Sequence, residues 1–173
     1  MLADFRLCSA DDAGLISQIY AASWRGSYTG LIPQHYLDRL PDGYWAPSVR
    51  SWLSDGRFEG KLVMADDLPA GCCIYGRGRD ESHADWGEIV SLYMLPEFAR
   101  QGLGGALLES CLADMRREGY TRFYLWCIDG NTAADRFYVS HGFRVTGDSV
   151  RYAIGGAAVR DIRYVKVEDQ TST

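Results

Sequence analysis

A glycine-rich turn carries the most recognisable chemistry in the sequence. It joins an apolar run to an amphipathic helix, and its residues are Arg100, Gln101, Gly102, Leu103, Gly104 and Gly105. The first backbone N–H groups of a helix lack partners within the helix and carry its positive dipole end, so this turn can bind a phosphate or a pyrophosphate. Glycine lets the anion approach the amides closely. The structural alternative is a turn that only closes a strand–helix unit.

Two common phosphate-binding motifs do not fit this turn. A P-loop requires Lys and then Ser or Thr after its last glycine, whereas Gly105 is followed by Ala106 and Leu107. A dinucleotide fingerprint requires a third glycine at position 107, which is leucine here. The turn is therefore expected to bind a phosphate group without a γ-phosphate or magnesium site.

A single carboxylate interrupts the apolar run before the turn. Glu88 is the ionisable residue of Gly87–Met94 (GEIVSLYM), which stops before Pro96 and is predicted to be a central strand buried on both faces. Because burial makes a carboxylate a stronger proton acceptor, Glu88 is a candidate general base. The alternative is a structural carboxylate, paired with an arginine at the solvent-facing start of the strand.

Strands and helices are predicted on both sides of this unit. Periodicity and turn residues predict strands at 5–8, 61–65, 70–75, 87–94, 123–127, 143–150 and 160–167, and helices at 9–20, 102–118 and 131–142. Segment 24–52 interleaves aromatic residues with Gly and Pro, which predicts an aromatic-walled surface segment with short helices. This order predicts an α/β or α+β fold, a mixed sheet with helices on both faces. We expect one domain over 1–168 and a flexible tail at 169–173.

Composition excludes several classes of protein. The chain has 173 residues, 47% of them hydrophobic, which suffices for one core. Its formal net charge of −5 argues against a nucleic-acid or anionic-membrane binder and suits a cationic or neutral substrate. The five cysteines and three histidines lack metal-ligand spacing, so no metal is predicted. No export signal or membrane span is evident, and we expect a cytoplasmic protein.

Two blocks of the sequence resemble the GNAT superfamily of N-acetyltransferases. The run 92–108 (LYMLPEFARQGLGGALL) is similar to the acyl-CoA-binding motif of that family. Asn131, Ala134 and the run 137–143 (FYVSHGF) are similar to its second signature, and the resemblance covers about residues 5–167. The family pattern has Gln or Arg three residues before the first loop glycine, whereas this chain has Ala99 there and Arg100 one step later. This departure leaves the role of the Arg100 side chain open.

The resemblance implies both a fold and a reaction. The expected fold is a mostly antiparallel sheet of about seven strands with a splay between the two central strands. The expected reaction transfers an acetyl group from acetyl-CoA directly to a primary amine of a small molecule or peptide. The pyrophosphate would bind the glycine-rich turn, and the pantetheine arm would pair with the backbone of Leu92, Tyr93 and Met94. Asn131 would bond that arm or would only cap its helix.

The resemblance also assigns the proton transfers. Glu88 would deprotonate the amine, directly or through water, and Tyr138 would protonate the departing thiolate. An aromatic residue in a helix is more often part of the core, which is the alternative for Tyr138. A backbone N–H near Met94 would stabilise the oxyanion. Cys127, in a predicted strand, is expected to be a core residue and not a nucleophile.

The acceptor site is less defined by the sequence. Trp24 and Tyr28 could line it and attract an ammonium group, but they could equally belong to the core. Trp126 could reach either substrate. Many members of the family are dimers, so a homodimer is possible for this chain. The competing function is a non-catalytic CoA-binding or sensing module, which would not need Glu88 and Tyr138.

Overall fold

The computed structural model describes residues 3–169. Among these residues there are five α-helices, namely α1 (Ala13–Ser27), α2 (Gln34–Arg39), α3 (Ala46–Ser54), α4 (Leu103–Arg117) and α5 (Thr132–Ser140). The strands are β1 (Ala3–Leu7), β2 (Phe58–Ala65), β3 (Leu68–Arg77), β4 (Gly87–Met94), β5 (Arg122–Ile128), β6 (Arg144–Ile154) and β7 (Ala157–Val167). The predicted elements are therefore present, with longer strands in both hairpins.

The seven strands form one mixed sheet in the order β1–β2–β3–β4–β5–β7–β6. Neighbouring strands are antiparallel except for β4 and β5, which are parallel. These two strands pair at Gly87 with Phe123 and at Glu88 with Tyr124, and no further pair joins them within residues 3–169. Beyond Glu88 the strands separate, which confirms the predicted splay between the central strands.

Helices cover both faces of the sheet, as predicted. Helices α4 and α5 pack on one face, here called the α4 face, and α1 and α3 pack on the other, the α1 face. Side chains alternate between faces along β5, because successive residues of a strand point to opposite sides. Phe123 and Leu125 contact the α4-face cluster, whereas Ile128 belongs to a cluster with Tyr28 of the chain after α1.

The aromatic segment at 24–52 differs from the prediction of a surface wall. Helix α1 continues through Trp24 to Ser27, and Tyr28 is only 8% exposed. Trp45 packs against Trp24 with ring centroids 4.9 Å apart, whereas Tyr44 is exposed. Burying these large apolar rings stabilises the core more than exposing them would, so most of the segment packs inward.

Strand β4 is also less buried than predicted. Its first three residues are buried, but residues 90–94 are only partly so, because the splay leaves one edge of the strand without a neighbour. The predicted tail lies outside the described residues beyond Asp169, and the single domain stays a prediction. Within residues 3–169 no helix combines the length and apolar character needed to cross a membrane.

Candidate active site

A cavity of about 1110 Å³ occupies the gap between β4 and β5. Residues 89–94 of β4 line one side and residues 125–128 of β5 line the other. The cavity reaches the first turn of α4 on the α4 face, called here the α4 end. It also reaches Trp24 and Asp161 on the opposite side of the gap, called here the β7 end. The splay therefore connects two binding regions through the sheet.

The α4 end is built from backbone amides. Gly102 precedes α4 with a φ of 82°, and no side chain caps the helix. The first hydrogen bond of the helix runs from the Ala106 N–H to the Gly102 carbonyl at 3.1 Å, so the preceding amides have no helical partner. A Cβ on Gly105 would lie 2.9 Å from the His141 ring. The unpartnered amides suit an anion held close to the backbone, whereas the contact with His141 shows that glycine is required at position 105 where α4 packs against α5.

The residues predicted at this turn divide into two groups. Arg100, Gly102, Gly104 and Gly105 line the cavity. Gln101 instead donates to the Glu97 carbonyl at 2.9 Å. Leu103 is buried in the core cluster of the α4 face. Neither of these last two side chains lines the cavity.

The edge of β4 along the cavity has free hydrogen-bonding groups. The Leu95 N–H donates to Ala70 at 2.8 Å, on the side of β3. Because N–H groups alternate between the two edges of an extended chain, the N–H of Met94 faces the gap. Leu92 and Met94 pack their side chains against the α4-face cluster, and the Tyr93 hydroxyl lies 3.4 Å from that of Tyr28. The strand thus offers its backbone to a ligand in the gap.

Tyr138 extends from α5 to the wall of the cavity. The residue is 8% exposed, and its ring packs against Phe137, Phe143 and Tyr164. Its hydroxyl makes no hydrogen bond to another residue in the described part of the chain. Burial raises the pKa of Tyr138 well above its ordinary value, so the hydroxyl is protonated at neutral pH. A protonated hydroxyl therefore borders the cavity and is available to donate a hydrogen bond or a proton.

Asn131 both caps α5 and lines the cavity. Its side-chain oxygen accepts a hydrogen bond from the Ala134 N–H at 3.2 Å. The side-chain nitrogen of Asn131 bonds to nothing among residues 3–169. The side-chain oxygen of Asn131 therefore caps the helix, while its side-chain nitrogen can still donate to a ligand.

Glu88 lies where β4 and β5 begin to separate and is 1% exposed. Its carboxylate accepts hydrogen bonds from the Arg79 backbone N–H at 2.9 Å, Arg79 Nη2 at 2.6 Å and the Tyr124 hydroxyl at 2.9 Å. Arg79 lines the cavity, whereas Glu88 does not. Arg79 is thus the arginine partner that is expected if Glu88 has a structural role. A role for Glu88 as a base stays a prediction.

The positions of the aromatic residues at the β7 end fit both of their predicted roles, which are lining the acceptor site and packing in the core. Trp24 and Tyr28 line the cavity and pack in the core, with ring centroids 5.0 Å apart. Trp126 also lines the cavity, but its Nε1 donates to Asp80 at 3.1 Å and the Arg163 guanidinium lies 4.5 Å from its ring centroid. One face of Trp126 is therefore already occupied by a cation.

Several residues at the cavity were not predicted from the sequence. Arg79, Tyr152 and Asp161 line it, and the Tyr152 hydroxyl donates to Asp161 at 3.0 Å. No spacing motif marks these positions. The alternation of β7 offered one signal, because Asp161 shares a face with the buried residues Val159 and Arg163.

The thiol at the cavity is unreactive. Cys127 lines the gap, and burial, together with the carboxylate of Asp161, raises its pKa to about 12. A thiol with this pKa is almost entirely protonated at neutral pH, and the thiolate is the nucleophilic form. This supports the prediction that Cys127 does not attack the substrate.

Comparison with known proteins identifies the family. The model of the acetyltransferase (GNAT) family matches residues 16–143. The chain belongs to the GNAT family of acetyltransferases. It is 26% identical over 159 residues to YuaI of Bacillus subtilis (strain 168), an uncharacterised N-acetyltransferase, with 91% of this chain and 88% of YuaI covered.

Solved GNAT structures share the fold of this chain. The PaiA N-acetyltransferase of Thermoplasma acidophilum, in complex with coenzyme A, superposes with a TM-score of 0.75 at 20% identity, covering 96% of this chain and 99% of PaiA. YncA of Salmonella typhimurium, a putative acetyltransferase with its cofactor acetyl-CoA, gives 0.74 at 19% identity, covering 99% and 96%. The predictions of a GNAT fold and of an acetyl-CoA-dependent N-acetyltransferase are confirmed.

Proposed function

We propose that this enzyme transfers an acetyl group from acetyl-CoA directly to a primary amine of a small molecule or peptide. One observation carries the proposal: the gap between β4 and β5 joins an amide-lined helix terminus to an aromatic pocket with a carboxylate. Acetyl-CoA would enter from the α4 end and the amine from the β7 end. Thiol release that depends on an added amine tests the proposal.

The α4 end suits the pyrophosphate of acetyl-CoA. The amides before Ala106 supply donors and the positive end of the helix dipole. The solved structures of PaiA and YncA contain coenzyme A or acetyl-CoA, which supports acetyl-CoA as the cosubstrate. Arg100 lines this end and adds a positive charge. The pantetheine arm would then pair with the open edge of β4, and Asn131 would donate to it.

The middle of the gap suits the chemical step. Attack of the amine nitrogen on the thioester carbon forms a tetrahedral intermediate, and the Met94 N–H would stabilise its oxyanion. When the intermediate collapses, the carbon–sulfur bond breaks and the sulfur takes a proton from the Tyr138 hydroxyl. The attacking nitrogen loses one proton as it becomes the amide, and solvent would carry that proton back to the tyrosinate. Burial raises the pKa of Tyr138, which keeps the hydroxyl protonated before transfer but also makes it a weaker acid. The proton therefore moves only as negative charge develops on the sulfur.

The amine must lose a proton before it attacks. A primary alkylamine has a pKa of about 10.4, so forming the neutral amine at pH 7 costs about 4.6 kcal/mol. Glu88 was predicted to take this proton, but its carboxylate is occupied by Arg79 and Tyr124 and does not line the cavity. We propose that Glu88 is a positioning residue, which holds Arg79 and the point where β4 and β5 separate. The proton from the ammonium group of the acceptor would then pass to solvent at the β7 end.

A further inference from the structure

Asp161 is a partly buried carboxylate without a cationic partner among residues 3–169. It lies on β7 opposite Ile128 of β5, and it lines the cavity on the α1 face. Its one hydrogen bond within the described chain comes from the neutral hydroxyl of Tyr152, and no ion pair joins it to a residue of that part. Burial raises the pKa of Asp161. Carboxylates in such a position are usually paired with a cation, so a cationic ligand would complete the site.

The arginines nearest to Asp161 bind other carboxylates. Arg160 points to the opposite face of β7 and pairs with Asp129. Arg163 shares the face of Asp161, but its Nη2 bonds Asp80 at 3.0 Å. Neither arginine is placed within ion-pair distance of Asp161. The charge of Asp161 is therefore directed at the cavity.

The other charges at the β7 end compensate each other. Arg79 lines the cavity, and its Nη2 lies 2.6 Å from the buried carboxylate of Glu88. Arg163 pairs with Asp80 at 3.0 Å and with Asp148 at 3.6 Å. Both arginines are thus paired with carboxylates, and Asp161 is the carboxylate that lines the cavity at this end. The second cavity-lining carboxylate, Glu109, lies on α4, at the other end.

We propose that Asp161 binds an ammonium group of the acceptor and so selects cationic amines that carry no carboxylate. This inference rests on the proposed function and assigns its substrate class: alkylamines and diamines are preferred to amino acids. Trp24 and Tyr28 provide aromatic walls that also favour a cation. The Tyr152 hydroxyl orients the carboxylate. An acceptor carboxylate in this pocket would instead be repelled by Asp161.

A matched series of acceptors tests the charge preference. Butylamine, 1,4-diaminobutane and 4-aminobutanoate have the same chain length and differ in the charge of the far end. For the enzyme as it exists, kcat/KM is expected to be highest for the diamine and lowest for the amino acid. In D161N the KM for the diamine should rise about 10- to 100-fold, as expected for losing a hydrogen bond to a charged group. The KM for acetyl-CoA should not change.

D129N is the control variant, because Asp129 is a carboxylate at the end of β5 that pairs with Arg160 and does not line the cavity. It should leave every KM unchanged. Calorimetric titration of the protein saturated with coenzyme A measures its affinity for 1,4-diaminobutane. This affinity should be lower in D161N by the same factor. Equal diamine affinity in D161N and the unaltered enzyme would overturn the inference while leaving acetyl transfer intact. If the unaltered enzyme binds acetyl-CoA but acetylates no amine, the proposed function fails and this inference fails with it.

Discussion

Tyr138 and Glu88 show how the surroundings of a residue decide its chemistry. Both are buried, and both lie close to the gap between β4 and β5. The Tyr138 hydroxyl has no partner within residues 3–169 and borders the cavity, whereas Glu88 accepts hydrogen bonds from Arg79 and Tyr124. A group with an unused donor at the cavity is available for proton transfer. A group whose acceptor sites are occupied is suited to holding its neighbours.

Replacing Tyr138 by Phe should remove the proton donor for the thiolate. We expect Tyr138→Phe to lower kcat by about 10²- to 10⁴-fold, with little change in the affinity for coenzyme A. Steady-state kinetics and calorimetric titration measure the two quantities. Tyr164→Phe is the control, since Tyr164 belongs to the same aromatic cluster but donates its hydroxyl to Asp135 at 2.7 Å. An unaltered kcat in Tyr138→Phe would remove Tyr138 from the mechanism.

Replacing Glu88 by Gln distinguishes its two possible roles. As a positioning residue, Glu88 supplies the anion that pairs with Arg79, and its loss should lower the free energy of unfolding by about 1–3 kcal/mol. The acid limb of the profile of kcat/KM against pH should persist, because another group accepts the proton. Urea denaturation and rate measurements at a series of pH values give both results. A flattened acid limb in a stable variant would instead identify Glu88 as the base.

At the scale of elements, β4 and α4 were the most predictable parts of the fold. The apolar run ending before Pro96 predicted the bounds of β4, and the apolar stripe of residues 107–115 followed by Gly119 predicted α4. These are local signals. Arg79 gave no such signal and Asp161 gave only the alternation of β7, because their positions at the cavity depend on pairings between distant strands. The extension of α1 to Ser27 likewise depends on the burial of its aromatic rings against the sheet.

Helix α4 is held to the sheet by a buried ion pair. Lys61 Nζ on β2 lies 2.5 Å from the Asp114 carboxylate on α4, and the Tyr75 hydroxyl donates to the same carboxylate at 2.5 Å. Burial alone would raise the pKa of Asp114, but the hydrogen bonds from Lys61 and Tyr75 outweigh it and lower the pKa. Because this helix presents the amides of the α4 end, the pair also helps to position the proposed phosphate site.

We expect Asp114→Asn to lower the free energy of unfolding by about 3 kcal/mol, since Lys61 would remain buried without its anion. Urea denaturation at neutral pH measures this loss. Asp85→Asn is the control, because Asp85 and Arg122 are both exposed and such pairs contribute less than about 1 kcal/mol.

The lowered pKa of Asp114 also gives the sign of the pH effect. The stability from this pair is fully present above the unfolded-state pKa of about 3.9 and is lost as the pH falls through the lower folded-state value. The difference between the original protein and Asp114→Asn should therefore shrink in acid. If the difference in free energy of unfolding stayed constant as the pH fell below about 3.9, the stabilising role of the ionised Asp114 would be contradicted.

At the scale of the whole molecule, the splayed sheet makes direct transfer possible. In the proposed arrangement, one substrate would reach the gap from the α4 face and the other from the α1 face, so that both would be bound at once. The net charge of −5 and the carboxylate of Asp161 both favour a cationic acceptor. The homodimer that the family resemblance allows is untested by this structure. The alternative to direct transfer is a route in which a cysteine is acetylated first. That route is disfavoured at Cys127, because its thiol is protonated at neutral pH.

Amine-dependent release of coenzyme A, with mass spectrometry of both the amine and the intact protein, is the decisive measurement. Incubation with acetyl-CoA and 1,4-diaminobutane should release thiol and yield the N-acetylated amine, while acetyl-CoA alone should leave the protein without an attached acetyl group. Binding of acetyl-CoA without thiol release for any primary amine, or an acetylated protein that later passes its acetyl group to the amine, would contradict direct transfer through the gap.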